Sequence, residues 1–211
     1  FAAFSDLPED PLARDFRRID PREATVMLLE GGPKVLPSYP DDLSATAKQE
    51  LRALGVEVRT EMLVTDIQPG SVQAAGWTIP TNTVVWAAGM KGTALLTSLG
   101  APLDRMGRVV VEKDGSLPGH PEVFVLGDAA HFHDERFGDV LPPIAQPAIQ
   151  QGKHAARNIV ADLRNRPRQP FSYFDKGQLA VIGRGQAVAE IGKFRFGGFL
   201  AWMIWAVVHI A

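Results

Sequence analysis

Cysteine is missing from all 211 residues, which excludes a disulfide framework, a thiolate metal site and a cysteine nucleophile. Clustered positive charge is missing as well. Lys and Arg total 22 against 24 Asp and Glu, a formal net charge of -2, and no Lys/Arg block supplies the basic footprint that phosphate binding requires. A nucleic-acid partner is not expected. The longest unbroken apolar run falls short of the roughly 20 residues that a membrane-spanning helix needs. Neither an internal repeat nor a low-complexity segment is evident. The first residue is Phe1 rather than Met, and no basic, apolar and small-residue succession marks a signal peptide, so a piece of a longer protein is expected. What is present is a hydrophobic share of 45%, ample for a packed core.

Pro8, Pro11 and Pro21 break any long helix in residues 1–24, and Arg14, Arg17 and Arg18 read as solvated surface. The apolar run Ala24 to Leu29 stops at Glu30-Gly-Gly-Pro33, as a buried strand stops at a turn. Asp41 and Asp42 then open a helix with Leu43, Ala47, Leu51 and Leu54 at helical spacing and Gly55 at its C-terminal cap, and Val56 and Val58 start the next strand. Short alternating pieces between Val64 and Ile79, split by Pro69-Gly70 and Gly76, predict a β-meander. A further buried strand is expected over Val84 to Gly89, its small terminal residues inviting close approach by a ligand or a neighbouring backbone. A turn at Asp104, Arg105 and Gly107 precedes Val109 to Val111.

The stretch Val123-Phe-Val-Leu-Gly-Asp128 carries the strongest site signal. An apolar run ending in Gly-Asp places a flexible residue and a carboxylate at the carboxyl end of a buried strand, where open α/β sheets hold ligands. An ordinary Gly-Asp turn would read the same way. Downstream, Pro147 suits a helix's first turn, and Ala148, Gly152, Ala155, Ala156, Ile159, Val160 and Leu163 form its expected buried face. His131, His133, Asp134 and Glu135 crowd one loop without a recognised metal-ligand spacing, so we read a solvated polar loop and no metal site.

Five strings in order, Trp86-Ala-Ala-Gly89, Pro118-Gly-His-Pro-Glu-Val-Phe-Val-Leu-Gly-Asp128, Ala145-Gln-Pro-Ala-Ile-Gln-Gln-Gly152, Tyr173-Phe-Asp-Lys-Gly177 and Ile182-Gly-Arg184, resemble the C-terminal half of a type II NADH:quinone oxidoreductase. The resemblance implies an α/β, partial two-dinucleotide-binding-domain (Rossmann-like) flavoprotein fold with a β-meander and a C-terminal membrane-docking segment. Residues 1–90 would be the latter part of the NADH-binding domain, 91–170 the C-terminal part of the FAD-binding domain, and 171–211 the docking segment. No GxGxxG occurs, whereas the family carries one such loop for FAD and one for NADH. Pro143 and Pro147 also depart from its pattern.

Carried over by position, the resemblance assigns Glu30 to the adenosine ribose of NADH, where a carboxylate repels a 2′-phosphate. Ala88 and Gly89 would lie against NADH and flavin. Gly127 and Asp128 would hold the FAD ribitol, and the helix beginning near Gln146 would aim its amides at the flavin ring. Ala145, Gln146 and Gln150 would line the reacting flavin face, the two glutamines as catalytic candidates, with Lys176 near the ring. The implied activity carries electrons from NADH through FAD to a membrane quinone at the cytoplasmic face, with the protein peripheral to the membrane; a homodimer is compatible with it. The rivals are a non-catalytic fragment and another FAD/NAD(P)-dependent oxidoreductase of disulfide-reductase or ferredoxin-reductase type. His120-Pro121 runs directly into Glu122 and lacks the acid/base spacing of a disulfide reductase. A sulfide:quinone reductase would require cysteine. Phe194 to Ala211, with Trp202 and Trp205 suited to a lipid interface, would dock to the membrane; burial in a soluble core is the other reading of the same composition.

Overall fold

The computed structural model describes residues 24–210, with side chains described to residue 207. The expectations for residues 1–23, including the three arginines, and for His209 and Ala211 lie outside the described residues. The chain divides into two units, Phe1–Val85 with Gly177–Ala211, and Trp86–Lys176.

In the first unit, strand β1 (Met27–Leu29) pairs in parallel with β2 (Glu57–Arg59) through the crossover helix α1 (Asp41–Ala53). Asp41 and Asp42 complement the positive end of the α1 dipole. Its far end closes as a Schellman motif, with Gly55 N–H donating to the Arg52 carbonyl and Val56 N–H to that of Leu51, both at 3.0 Å. Gly55 has φ +79, which glycine adopts without a steric penalty. Leu43, Ala47, Leu51 and Leu54 are buried with Val56, Val58, Ile182 and Val188, as the spacing predicts. β1 itself is half-buried rather than fully buried.

Strands β3 (Val64–Gln68), β4 (Ser71–Ala74) and β5 (Trp77–Pro80) form the expected antiparallel meander. A second three-stranded sheet consists of β6 (Gln178–Gly183), β7 (Gln186–Ile191) and β8 (Phe194–Gly197), followed by helix α2 (Phe199–Ile210). The alternation of β7 sorts its side chains between two partners. Val188 joins the α1 core, while Ala187 and Ala189 pack with Ala201 of α2, all three fully buried. Small residues on both sides let helix and sheet backbones approach closely. Gly177 is held by the same demand for space, since a Cβ there would come within 2.3 Å of the Glu190 carbonyl oxygen.

From Val84 onward, across the start of the second unit, the chain departs further from expectation. Val84 to Gly89 is neither strand nor buried; Trp86 is 62% exposed. Apolar composition alone does not make a strand. It needs a ladder partner, and among the described residues none pairs with this segment. The run Val123 to Asp128 also changes: a strand spans His120–Phe124 and pairs antiparallel with Ser116–Leu117. Pro118 and Gly119, the latter at φ +78, form the tight turn between them. Gly127–Ala129 is a single 3-10 turn, and Ala130–His131 then pairs in parallel with Val109–Val110.

The long helix of this unit, α3 by its own count (Ala145–Leu163), buries Pro147, Gln151, Ala155 and Asn158. The face expected inside is largely outside: Gly152, Ala156, Ile159 and Val160 are exposed, and Leu163 is 80% exposed. Two polar side chains displaced an apolar stripe because each satisfies backbone groups beneath the helix. Asn158, 2% exposed, accepts from the Gln169 amide at 3.0 Å and donates to the Gln169 carbonyl at 2.9 Å.

Candidate functional site

The residues that the sequence assigns to one site fall into three places. Gly127, Asp128, Ala145, Gln146 and Gln150 gather at the amino end of α3. Glu30 belongs to the other unit. Ala88 and Gly89 lie in the exposed, irregular segment after the meander.

At the amino end of α3, Gly127 has φ +61, and a Cβ on it would come 3.0 Å from the Ala148 Cβ. The close approach that this glycine permits is therefore to the helix. Its N–H donates to Gln151 Oε1 at 2.6 Å. The next residue, Asp128, presents an exposed carboxylate, and no hydrogen bond to it occurs among the described residues. Ile144, at the N-cap, gives no side-chain cap, and no acidic residue occupies the first turn. The positive dipole end of α3 consequently lies beside the turn that carries this carboxylate.

Gln150 points elsewhere. Its Oε1 accepts from the Phe174 amide at 3.0 Å and its Nε2 donates to the Phe174 carbonyl at 2.9 Å, so it holds the segment that leads to Lys176. Lys176 is exposed and Gln146 half-buried. Glu30 continues the β1 ladder through its N–H to the Arg59 carbonyl at 2.9 Å, and its Oε1 accepts from the Gly32 amide at 2.7 Å. The carboxylate thus closes the turn that ends the strand.

The loop read as solvated is partly buried. Asp134 is buried and accepts from the amides of Arg136 at 2.8 Å, Phe137 at 2.9 Å and Tyr173 at 2.7 Å. Burial opposes its charge, but these amides outweigh it and hold the carboxyl below the usual carboxylate range. Asp104 is a second such anchor. Burial again opposes ionisation, yet bonds from the Arg108 amide, His131 Nδ1, the Arg108 guanidinium and the Met106 amide together hold its carboxyl far below the ordinary value. Arg168 joins Asp162 to Asp114 and lies 4.9 Å from the centroid of the Phe124 ring. Sequence reasoning missed Gln151, Asn158, Asp104, Asp134 and Arg168. The available signal was a polar and small stripe, Pro147, Gln151, Ala155 and Asn158, at helical spacing.

The turn thus presents a carboxylate acceptor at the positive end of a helix. The profile of the pyridine nucleotide-disulphide oxidoreductase family matches residues 12–152. The chain belongs to that family. It is 40% identical to the type II NADH:quinone oxidoreductase Ndh of Mycobacterium tuberculosis, over 98% of this chain and 46% of that protein. Identity to the type II NADH:quinone oxidoreductase of Haemophilus influenzae is 31%, over 90% of this chain and 43% of the relative. The fold is similar to that of NDH2 from Plasmodium falciparum, solved in complex with NADH, at a TM-score of 0.75 and 18% identity over 88% of this chain and 54% of that one. The chain spans about half the length of the curated relatives it matches.

Proposed function

We propose that this chain is part of a flavoenzyme that takes electrons from NADH and delivers them through FAD to a membrane quinone. The observation that carries the reading is the 40% identity, across nearly the whole chain, to an enzyme of that name. The groups at α3 fit the cofactor: Asp128 is an acceptor for ribitol hydroxyls, and the positive dipole end of the helix favours negative charge on the ring. FAD, when bound, supplies the two-electron chemistry. The chain's own residues orient it and stabilise negative charge on the ring, and Gln146 and Ala145 border the face open to reactants. Glu30 accepts from the adenosine ribose of NADH and repels a 2′-phosphate. No glycine-rich pyrophosphate loop occurs in this sequence, so the chain by itself is expected to retain little flavin.

Membrane association is part of the proposal. Helix α2 turns Ala201 inward and leaves Phe199, Leu200, Met203 and Val207 exposed along one side, the pattern of a helix lying in a lipid interface. Among the described residues no helix is long and apolar enough to cross a membrane. Trp202 stacks on Phe199 at 5.7 Å and, like Trp205, is half-buried, so the four exposed residues are the better probes. The proposal is a peripheral enzyme at the cytoplasmic face.

The test uses the chain within a polypeptide of its relatives' full length. Purification with flavin absorbance and NADH-dependent reduction of a quinone analogue is expected. A colourless protein that takes up no added FAD would overturn the reading. Liposome flotation of a variant with Phe199, Leu200, Met203 and Val207 changed to Ser should show lost lipid binding at an unchanged melting temperature.

A further inference from the structure

We propose that Gln151 is a positioning residue for the flavin site, acting through Gly127 to set Asp128. The inference rests on the functional reading above and names the part of the chain that keeps the ribitol acceptor in place. Gly127 N–H falls between two ladders, after the His120–Phe124 strand has ended and before the Ala130–His131 strand begins. Backbone pairing does not serve it there, and a half-buried N–H needs an acceptor. Gln151 supplies one at 2.6 Å across 24 residues of sequence, from a side chain only 4% exposed. Ala148, one helical turn earlier, closes the other side of the same glycine: a Cβ there would be 3.0 Å away. Gly127 is therefore fixed by a directional bond and by a steric floor, both from α3.

The consequence concerns two groups that must act on one ligand. Asp128 would accept from the ribitol and the positive dipole end of α3 would lie toward the ring, so their separation has to match a cofactor of fixed length. The Gln151 bond and the Ala148 contact tie the turn carrying the first group to the helix carrying the second. Gln151 itself faces inward under the helix and touches neither the proposed ligand nor the exposed carboxylate.

The adjacent glutamines thus divide the work. Gln150 pairs with the backbone of Phe174, and Gln151 pairs with that of Gly127.

The experiment compares Gln151→Met, which keeps length and loses the acceptor, with Gln151→Glu, which keeps an acceptor oxygen at the same reach, in the full-length polypeptide. Loss of one acceptor is expected to weaken FAD binding by about tenfold in Q151M, to alter the visible circular dichroism of the bound flavin, and to leave the NADH KM unchanged. Q151E should recover most of the affinity. In the flavin-free protein, the Gly127 amide should exchange faster in Q151M than in Q151E. A Q151M protein with wild-type FAD affinity and flavin dichroism, or one that loses only melting temperature, overturns the inference while the functional reading stands. If the wild type binds no FAD, both fall. Should Q151M fail to fold, Q151N carries the same test, because its oxygen stops one methylene short of Gly127; unchanged flavin affinity there is equally fatal.

Discussion

Helix α1 of the first unit buries Leu43, Ala47 and Leu51, whereas α3 of the second buries Gln151 and Asn158 and leaves Ile159, Val160 and Leu163 outside. In the first unit the sheet β6–β8 and helix α1 meet through aliphatic side chains, and α2 joins through alanines. In the second, beside apolar clusters around Val109 and around Phe132, distant segments are joined by carboxylates and side-chain amides that reach into backbone turns, and by a guanidinium that links two carboxylates. Apolar packing tolerates small shifts because it is non-directional. A hydrogen bond is directional and weakens steeply once its angle falls below about 120°. The proposed site lies in the unit that is held by directional bonds, which suits a task that depends on fixed separation between polar groups.

This contrast can be broken at its largest predicted effect. Asp134→Ala strips the acceptor from three amides, including that of buried Tyr173, and should cost about 3 to 5 kcal/mol. Native-state hydrogen exchange should show the loss in residues 86–176. If protection falls equally in the α1 region, or not at all, the directional picture of the second unit is wrong. The matching change in the first unit, Leu51→Ala, should cost about 3 kcal/mol by transfer and cavity terms, seen as a lower denaturation midpoint and faster exchange in α1.

Acid should separate the units next. The folded-state carboxyls of Asp104 and Asp134 lie below their unfolded values, so their contribution is fully present above the unfolded pKa of about 3.9 and is lost as pH falls through the folded ones. Exchange in the second unit should therefore accelerate below about pH 4, and Asp104→Asn should blunt that response. Equal acid sensitivity in the Asp104→Asn variant would remove Asp104 from the account.

The smallest effect has the opposite sign. Burial raises the Glu50 carboxyl, against a backbone bond from Gly198 that lowers it. A raised folded pKa contributes stability below the unfolded value and loses it as pH rises through the folded one. Glu50→Gln, which can still accept from Gly198, should raise the melting temperature at neutral pH by roughly a degree or two and flatten the pH dependence of the first unit. A lower melting temperature would mean that the charge itself stabilises the start of α2.

Residue order and chemistry alone determined α1 with its Asp-Asp start and Gly55 cap, the three-stranded meander, and the family, because periodicity, turn residues and ordered motif strings are local properties. The fate of Val84 to Gly89 and of Val123 to Asp128 was decided by tertiary structure. Both runs are apolar enough for a buried strand, but a strand exists only where another backbone offers its hydrogen bonds. The inward face of α3 was decided in the same way. Hydrophobicity placed Ile159 and Leu163 inside, while the amides of Gly127 and Gln169, far away in sequence, required Gln151 and Asn158 there. A side chain's worth as a hydrogen-bond partner depends on which backbone group the fold brings within about 3 Å of it, and only the folded chain sets that distance.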